Sequence, residues 1–366
     1  MNKLIFANLL HRPLRSIISV LAVAIEVVMI LSIVGIFMGM LDDTKQRTNG
    51  IGADLMVLPS NASYFNGVSG AAMPAVNVTA LRNLPHVAIA SAAVQHIQTG
   101  GSIEVIYGVD YETFNALRPF VFVAGGPFQG PNDVIVDSVL ANGHNYKVGD
   151  SIPVMGQDFR ISGIVEPGKG GRKILPLATM SNLMGSSGKA SLFYVKCDDP
   201  ANANLVAQEI RSTRGFQSNE VLTMNDWLDQ MTPNRLPGFN VALRVVTGID
   251  VVVGFLVIFQ SMYTAVLERT REIGILKSMG AAKSTIVTVV LRECSVLAVA
   301  GVLLGIVGTF GVRELLLHVF PTQHFEITGG WIVRGAVIAF LGSLLGAVYP
   351  AWMASRKDPI DALAYE

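Results

Sequence analysis

Few residues in this 366-residue chain have the types and spacing that chemistry requires. GIVEPGKG (Gly163–Gly170) nearly fits a loop that cradles phosphate. The position after Lys169 is Gly170, which has no hydroxyl to hold Mg²⁺, and KGGRKILP does not open a helix. No ATP site is expected there. The six histidines are scattered, and His318 and His324 stand six residues apart without carboxylate support, so no metal site is expected. Ser69-Gly-Ala-Ala and SSGK (186–189) read as loop, not as a nucleophile elbow. No catalytic set emerges, and the chain is not expected to be an enzyme or to hold a cofactor of its own.

A second group of residues is unusual for where it sits. Glu26, Asp250, Arg292 and Glu293 interrupt long apolar runs. Ionisable groups at membrane depth are costly and face partners or water. Glu26 lies about ten residues into the first run, roughly 15 Å along a helix. Arg292 and Glu293 lie about eight residues into the third run from the same side. Glu26 is expected to meet Arg292 or another polar neighbour, inside the bundle or across a dimer. The alternative is a protonated Glu26 bonded to backbone or lining a lateral opening. Asp250 is expected to pair with Arg313 or Arg334, and Arg244 to snorkel.

The elements that must hold these residues are membrane spans. Hydrophobic residues make up 51% of the chain and charged residues 15%, with mean hydropathy +0.48. A soluble chain carries about a quarter charged residues. Spans are expected over 16–40, 244–267, 284–312 and 331–354, each long enough for a hydrocarbon core of about 30 Å. The first is too long and too acidic for a cleaved signal. Lys3, Arg12 and Arg15 precede it, Arg269, Arg271, Lys277 and Lys283 follow the second span, and Arg356 and Lys357 follow the fourth. FPTQHFEITGG, between the third and fourth, has neither Lys nor Arg. Both termini and segment 268–283 are therefore expected in the cytoplasm and residues 41–243 outside. That layout puts Cys197 and Cys294 on opposite sides of the bilayer. Gly301, Gly305, Gly308 and Gly311 have the spacing that allows close helix contact. A formal net charge of zero gives no argument for nucleic acid.

Residues 41–243 read as an α+β domain. Strands are expected at 54–59, 102–110, 133–137, 159–166 and 191–197. Helices are expected at TALRNL, YETFNAL and PANANLVAQEIRSTRG, the last stopping at Gly215. NAS (61–63) and NVT (77–79) fit the glycosylation pattern without further support. LRPFVFVAGGPF (117–128) is expected in the core. The first span has no helix breaker until Gly50 and so continues as a stalk. MNDWLDQM (224–231) reads as a helix capped by Thr223, interrupted by PNRLPGF (233–239) as a hinge. A plain loop is the alternative for both.

ERTREIGILKSMGA (268–281) lies between two spans. On a helix, Ile273, Leu276 and Met279 or Gly280 share a side, flanked by Arg271, Glu272 and Lys277. Gly280 is a natural stop. The segment is either an interfacial helix on lipid or a docking peg for a cytoplasmic partner. Its short apolar face and the acids Glu268 and Glu272 favour the peg.

This segment closely resembles the cytoplasmic signature of the permease subunits of FtsX/MacB/LolC-type ABC transporters. FANLLHRPLRSIISVLAVAI (6–25) resembles their amphipathic N-terminal helix and first span, and YPAWMASRKDPIDALAYE (349–366) their C-terminal signature. The order of one span, a large outer domain and three spans is also similar. The resemblance implies a membrane protein with four transmembrane α-helices and an extracytoplasmic α+β domain inserted between the first and second. The implied divisions are a cytoplasmic amphipathic helix (1–15), span one (16–40), the outer domain with its stalk (41–243), span two (244–267), a coupling helix (268–283), span three (284–312), an outer loop (313–330), span four (331–354) and a cytoplasmic tail (355–366).

The coupling residues implied are Glu268, Arg269, Arg271, Glu272, Ile273, Leu276, Lys277, Met279 and Gly280. The implied partners are two copies of a cytoplasmic ABC ATPase that binds the ATP and Mg²⁺, a second permease chain (another copy or a sister subunit), membrane lipid and a periplasmic fusion or carrier protein. The implied location is the bacterial inner membrane. The implied function is export or extraction of a hydrophobic or amphiphilic substrate, driven by ATP-powered movement passed to the outer domain. The alternative is a signalling subunit that activates a cell-wall hydrolase without transport.

Overall fold

The computed structural model describes residues 13–60, 73–99, 103–232, 235 and 239–356. The expected N-terminal helix up to Arg12, the loop at Ser69, the NAS site, the 233–238 hinge except Arg235, and the tail beyond Arg356 lie outside the described residues. The chain divides into two compact units. One holds residues 1–40, 237–319 and 323–366, and the other residues 41–236 and 320–322.

Helix α1 (Pro13–Asn49) contributes residues to both units. Its 37 residues amount to about 55 Å of helix at 1.5 Å per residue. Beyond Met40 the sequence turns polar, yet the helix continues to Asn49. Asp42 accepts from Gln46 and Asp43 pairs with Arg47, both at the i,i+4 spacing that supports a helical turn. The helix stops where Gly50 and Gly52 begin.

The inserted unit follows in chain order. It comprises β1 (Leu55–Leu58), β2 (Met73–Pro74), α2 (Val78–Arg82), β3 (Val87–Thr99), β4 (Ile103–Val109), α3 (Tyr111–Leu117), β5 (Phe122–Gly125) and β6 (Asp133–Asp137). Then come α4 (Ser138–His144), β7 (Ser151–Val154), β8 (Gln157–Val165), β9 (Lys173–Pro176), α5 (Leu177–Leu183), β10 (Lys189–Ala190) and β11 (Leu192–Cys197). It closes with α6 (Ala203–Ser212), β12 (Glu220–Thr223) and α7 (Met224–Gln230). Ten strands form one sheet in the order β12-β1-β11-β3-β4-β9-β6-β8-β5, with β7 hairpinned onto β8. Pairing is antiparallel except between β4 and β9 and between β6 and β8. β3 pairs with β11 through residues 87–93 and with β4 through residues 93–99.

Apolar residues are buried on both faces of this sheet. α2 and α6 cover Leu55, Val57, Phe193 and Val195 on one face. α4 and α5 cover Val134, Val136, Phe159 and Ile161. On the opposite face Phe114, Phe120, Tyr194 and Met56 form a third cluster. The 117–128 run is only partly core: Leu117 and Phe120 are buried, whereas Val123 on the edge strand β5 and Val121 just before it are exposed. α6 ends at Ser212, before Gly215, because the hydroxyls of Ser212 and Thr213 both donate back to the Glu209 carbonyl at 2.9 and 2.7 Å. The Thr223 hydroxyl accepts from the Asp226 amide at 3.1 Å and so caps α7.

The membrane unit holds residues 13–40 of α1 with α8 (Phe239–Glu268), α9 (Thr270–Ser278), α10 (Lys283–Val319) and α11 (Gly329–Arg356). α1, α8, α10 and α11 are long and apolar enough to cross a membrane. Their contacts need small residues. A Cβ at Gly301 would lie 2.6 Å from Val23, and one at Gly305 would lie 2.7 Å from Val27. These two glycines let α10 press directly on α1. Gly308 reaches Val28 less tightly, and among the described residues nothing lies within 4 Å of a Cβ at Gly311.

Candidate functional site

The segment between α8 and α10 is a short helix closed at both ends. At its start the Thr270 hydroxyl donates back to the carbonyls of Val266 and Leu267, at 3.2 and 2.8 Å. At its end Ala281 N–H bonds to Leu276 O at 3.0 Å and Gly280 N–H to Lys277 O at 3.0 Å, with Gly280 at φ +91°. This is the Schellman arrangement, and it requires a residue at ease with positive φ.

The helix has two faces. Ile273, 8% exposed, packs with Val266, Ile286, Met353 and Ala354 inside the membrane unit. The expected ridge of Ile273, Leu276 and Met279 is thus corrected. Ile273 and Gly274 turn inward, and the exposed apolar residues are Ile275, Leu276 and Met279 at 43%, 40% and 72%. Glu268, Arg271 and Glu272 are exposed beside them. The physical reason is spacing. Ile273 follows Val266 by seven residues, two helical turns, so it shares the inward side of the run leaving α8.

Two basic residues of the segment are engaged inward. Arg269 Nη1 holds both carboxylate oxygens of Glu293 on α10, at 3.2 and 3.0 Å. Lys277 Nζ donates to the carbonyl of Ser355 at the end of α11, at 3.0 Å. The short helix is therefore braced to the two helices beside it by charge-assisted bonds.

Within one chain the structure corrects the expected pairings with Arg292, Arg313 and Arg334 and gives Glu26 a polar neighbour in Asp250. Arg292 is exposed and does not meet Glu26. Glu26 is 5% exposed and lies against Gly254 of α8 and Gly342 of α11. Neither of its carboxylate oxygens has a hydrogen-bond partner among the described residues. The absence of a side chain on Gly254 makes room for the Glu26 head. Asp250, 4% exposed and one turn before Gly254, is within electrostatic range of Glu26, and its Oδ2 also lacks a partner. Asp250 does not pair with Arg313 or Arg334. Arg313 bonds to its neighbour Glu314 at 2.7 Å, and Arg334 lies over the Trp331 ring at 5.2 Å. Arg244 is exposed.

The inserted unit has a cleft of about 630 Å³ between α2 and the start of α5. Val78, Val109 and Leu177 give it an apolar lining, Tyr111 and Phe128 an aromatic one, and Arg82 a cationic group. Tyr111 stacks on Phe120 at 5.6 Å and meets Phe128 edge-on at 6.0 Å. Arg82 is exposed and gives its Nε to the carbonyl of Ala90 at 2.9 Å.

Comparison with known proteins agrees with this architecture. Residues 16–213 match the MacB-like periplasmic core domain and residues 244–359 the FtsX-like permease C-terminal domain. The chain is 25% identical to the uncharacterised ABC transporter permease YvrN of Bacillus subtilis, covering 99% of this chain and 98% of that protein. It is 26% identical to the macrolide export ATP-binding/permease protein MacB of Bdellovibrio bacteriovorus, covering 99% of this chain but 61% of that protein. Among solved structures, the periplasmic region of MacB from Actinobacillus actinomycetemcomitans aligns with a TM-score of 0.39 at 13% identity, covering 51% of this chain and 96% of that one. The extracellular domain of YknZ from Gram-positive bacteria aligns with a TM-score of 0.36 at 14% identity, covering 46% and 98%. The core-domain match alone spans more than half of the sequence, and the chain belongs to the family of MacB/FtsX-type ABC transporter permeases.

Proposed function

We propose that this permease is the membrane half of an ATP-driven machine whose nucleotide site lies on separate subunits. The observation that carries the proposal is the exposed face of α9. It presents Ile275, Leu276 and Met279 next to Arg271 and Glu272 on a helix fixed by Arg269–Glu293 and Lys277–Ser355. An apolar anchor within a charged rim is suited to a protein groove. A brace at its root lets a push on the anchor reach α10 and α11.

The distribution of Lys and Arg supports a cytoplasmic location for α9 and both termini, with the inserted unit outside. The working assembly has two ATPase copies and a second permease chain, each ATPase seated on one α9. ATP and Mg²⁺ are bound by the ATPase. The cleft beside Arg82 supports a hydrophobic or amphiphilic substrate, whose apolar body meets Val78, Val109 and Leu177. A periplasmic fusion or carrier protein would receive it.

The test is co-purification. Glu272→Lys combined with Leu276→Asp alters only exposed side chains and should abolish recovery of the ATPase with the permease. Recovery at the parent level would refute the docking role of α9.

A further inference from the structure

GKGGR (168–172), which overlaps the end of the run that nearly fits a phosphate loop, has a defined place in the inserted unit. It wraps the last turns of α1. Lys169 Nζ donates to the carbonyl of Gly50 at 3.3 Å and to the carbonyl of Arg118 at 2.6 Å. The Gly170 amide donates to the carbonyl of Arg47 at 3.0 Å. Arg172 donates through Nη2 to both oxygens of Asp43 on α1, at 3.3 and 3.2 Å. Through Nη1 it reaches Asp137 at 3.0 Å, and Nη2 also reaches the carbonyl of Thr322 at 2.9 Å.

The loop does for a helix C-terminus what a phosphate loop does for an anion. The last carbonyls of a helix carry partial negative charge and lack partners within the helix. Here the Gly170 amide supplies a partner to the carbonyl of Arg47, and the Lys169 ammonium holds the carbonyl of Gly50 just past the helix end. The approach is closer than a side chain would allow. A Cβ at Gly50 would lie 2.1 Å from the Gly168 carbonyl oxygen, and one at Gly170 would lie 2.8 Å from the Tyr107 ring. Lys169 also lies over the Phe120 ring at 5.4 Å, which ties the loop to the core.

We infer that Gly168–Arg172 is the clasp through which movement of α1 enters the inserted domain, with Lys169 and Arg172 as its positioning residues. The inference rests on the proposed ATP-driven coupling and adds where that coupling is received. Three parts of the chain meet at the Arg172 guanidinium: α1 at Asp43, the β6–α4 junction at Asp137, and the segment after α10 at Thr322. A helix end held only by apolar packing could rotate within its socket. One gripped at its carbonyls and at a carboxylate one to two turns earlier cannot turn without carrying the sheet with it.

The test uses the full chain in lipid nanodiscs with its co-purifying ATPase. Spin labels are placed at the exposed positions Glu112 and Arg244 as cysteines, and their separation is measured with and without ATP and orthovanadate. In the parent, nucleotide should shift the separation. Lys169→Met with Arg172→Gln should lose that shift while ATP hydrolysis continues, and Lys169→Arg with Arg172→Lys should restore it. A parent-sized shift in the Met/Gln pair would overturn the clasp. Absence of any shift in the parent would remove the coupling reading and the clasp with it. If the Met/Gln pair does not fold, Asp43→Asn keeps the Lys169 bonds and the Asp137 pair. It should give a reduced shift, and an unchanged shift there would also overturn the proposal.

Discussion

Asp43 and Asp137 in the inserted unit share one arginine, and Arg47 adds a second pair to Asp43. Glu26 and Asp250 among the spans are about as deeply buried as Asp137, and among the described residues no cation pairs with either. The comparison separates two uses of buried charge. A buried ion pair adds little net stability, because desolvation offsets the attraction, but it is hard to break once made. Such pairs fix geometry, and the inserted unit uses them where a helix end must be held. An unpaired buried carboxyl fixes nothing and has a desolvation cost. Among the spans such a carboxyl lowers stability instead of supplying it.

The largest effect that should sharpen this contrast is Asp137→Ala. The substitution leaves Arg172 without one carboxylate and removes the cap that accepts from Leu140 N–H at 2.7 Å. The inserted unit should lose about 3–5 kcal/mol, read as a lower denaturation midpoint in the purified chain. Burial already pushes the Asp137 carboxyl above the usual carboxylate range, even with Arg172 beside it. A loss below about 1 kcal/mol would show that the cluster holds little.

Lys169 is intermediate, a buried cation answered by carbonyls. Burial, with Arg118 and Lys196 nearby, lowers it from 10.5 to about 8. The unfolded chain therefore holds a proton that the folded chain has released between about pH 8 and 10.5. Stability should rise with pH across that window, on the order of 2 kcal/mol in total. The neutral amine keeps two N–H groups, enough for both of its carbonyls. Thermal unfolding of Lys169→Met over the same range should show no such rise.

The smallest effect is expected at Glu26. Glu26→Met keeps the length of the side chain and removes both unpartnered oxygens. The membrane unit should gain about 1 kcal/mol in detergent thermal unfolding. A marked loss instead would mean that the carboxyl has a partner in the assembled protein.

The sequence made the membrane spans legible because each is a long block of one character. Five of the ten strands of the large sheet were also legible, as DVIVD and LFYVKC illustrate. The central strand β3 was not. VAIASAAVQHIQT is rich in alanine, a strong helix former, and only its place in the sheet makes it extended. The short helix α9 could be read from its spacing and from Gly280, but the inward turn of Ile273 depends on α10 and α11, which no local pattern reports. Charge partners were the least legible. Glu26 and Arg292 lie at matched depths yet on sides that do not meet, and Arg269 and Glu293 are 24 residues apart on different helices. GIVEPGKG was legible only as a run that falls short of a phosphate loop. What it grips became clear only with the end of α1 beside it.

β3 has a consequence for anyone who would dissect this protein. Its first half is zipped to β11 and its second half to β4, so neither half of the ten-stranded sheet owns it. A fragment cut on either side would inherit a strand with half its ladder missing, open to pairing with a second fragment. The inserted unit should therefore melt in a single transition, and attempts to express one lobe alone should yield aggregates.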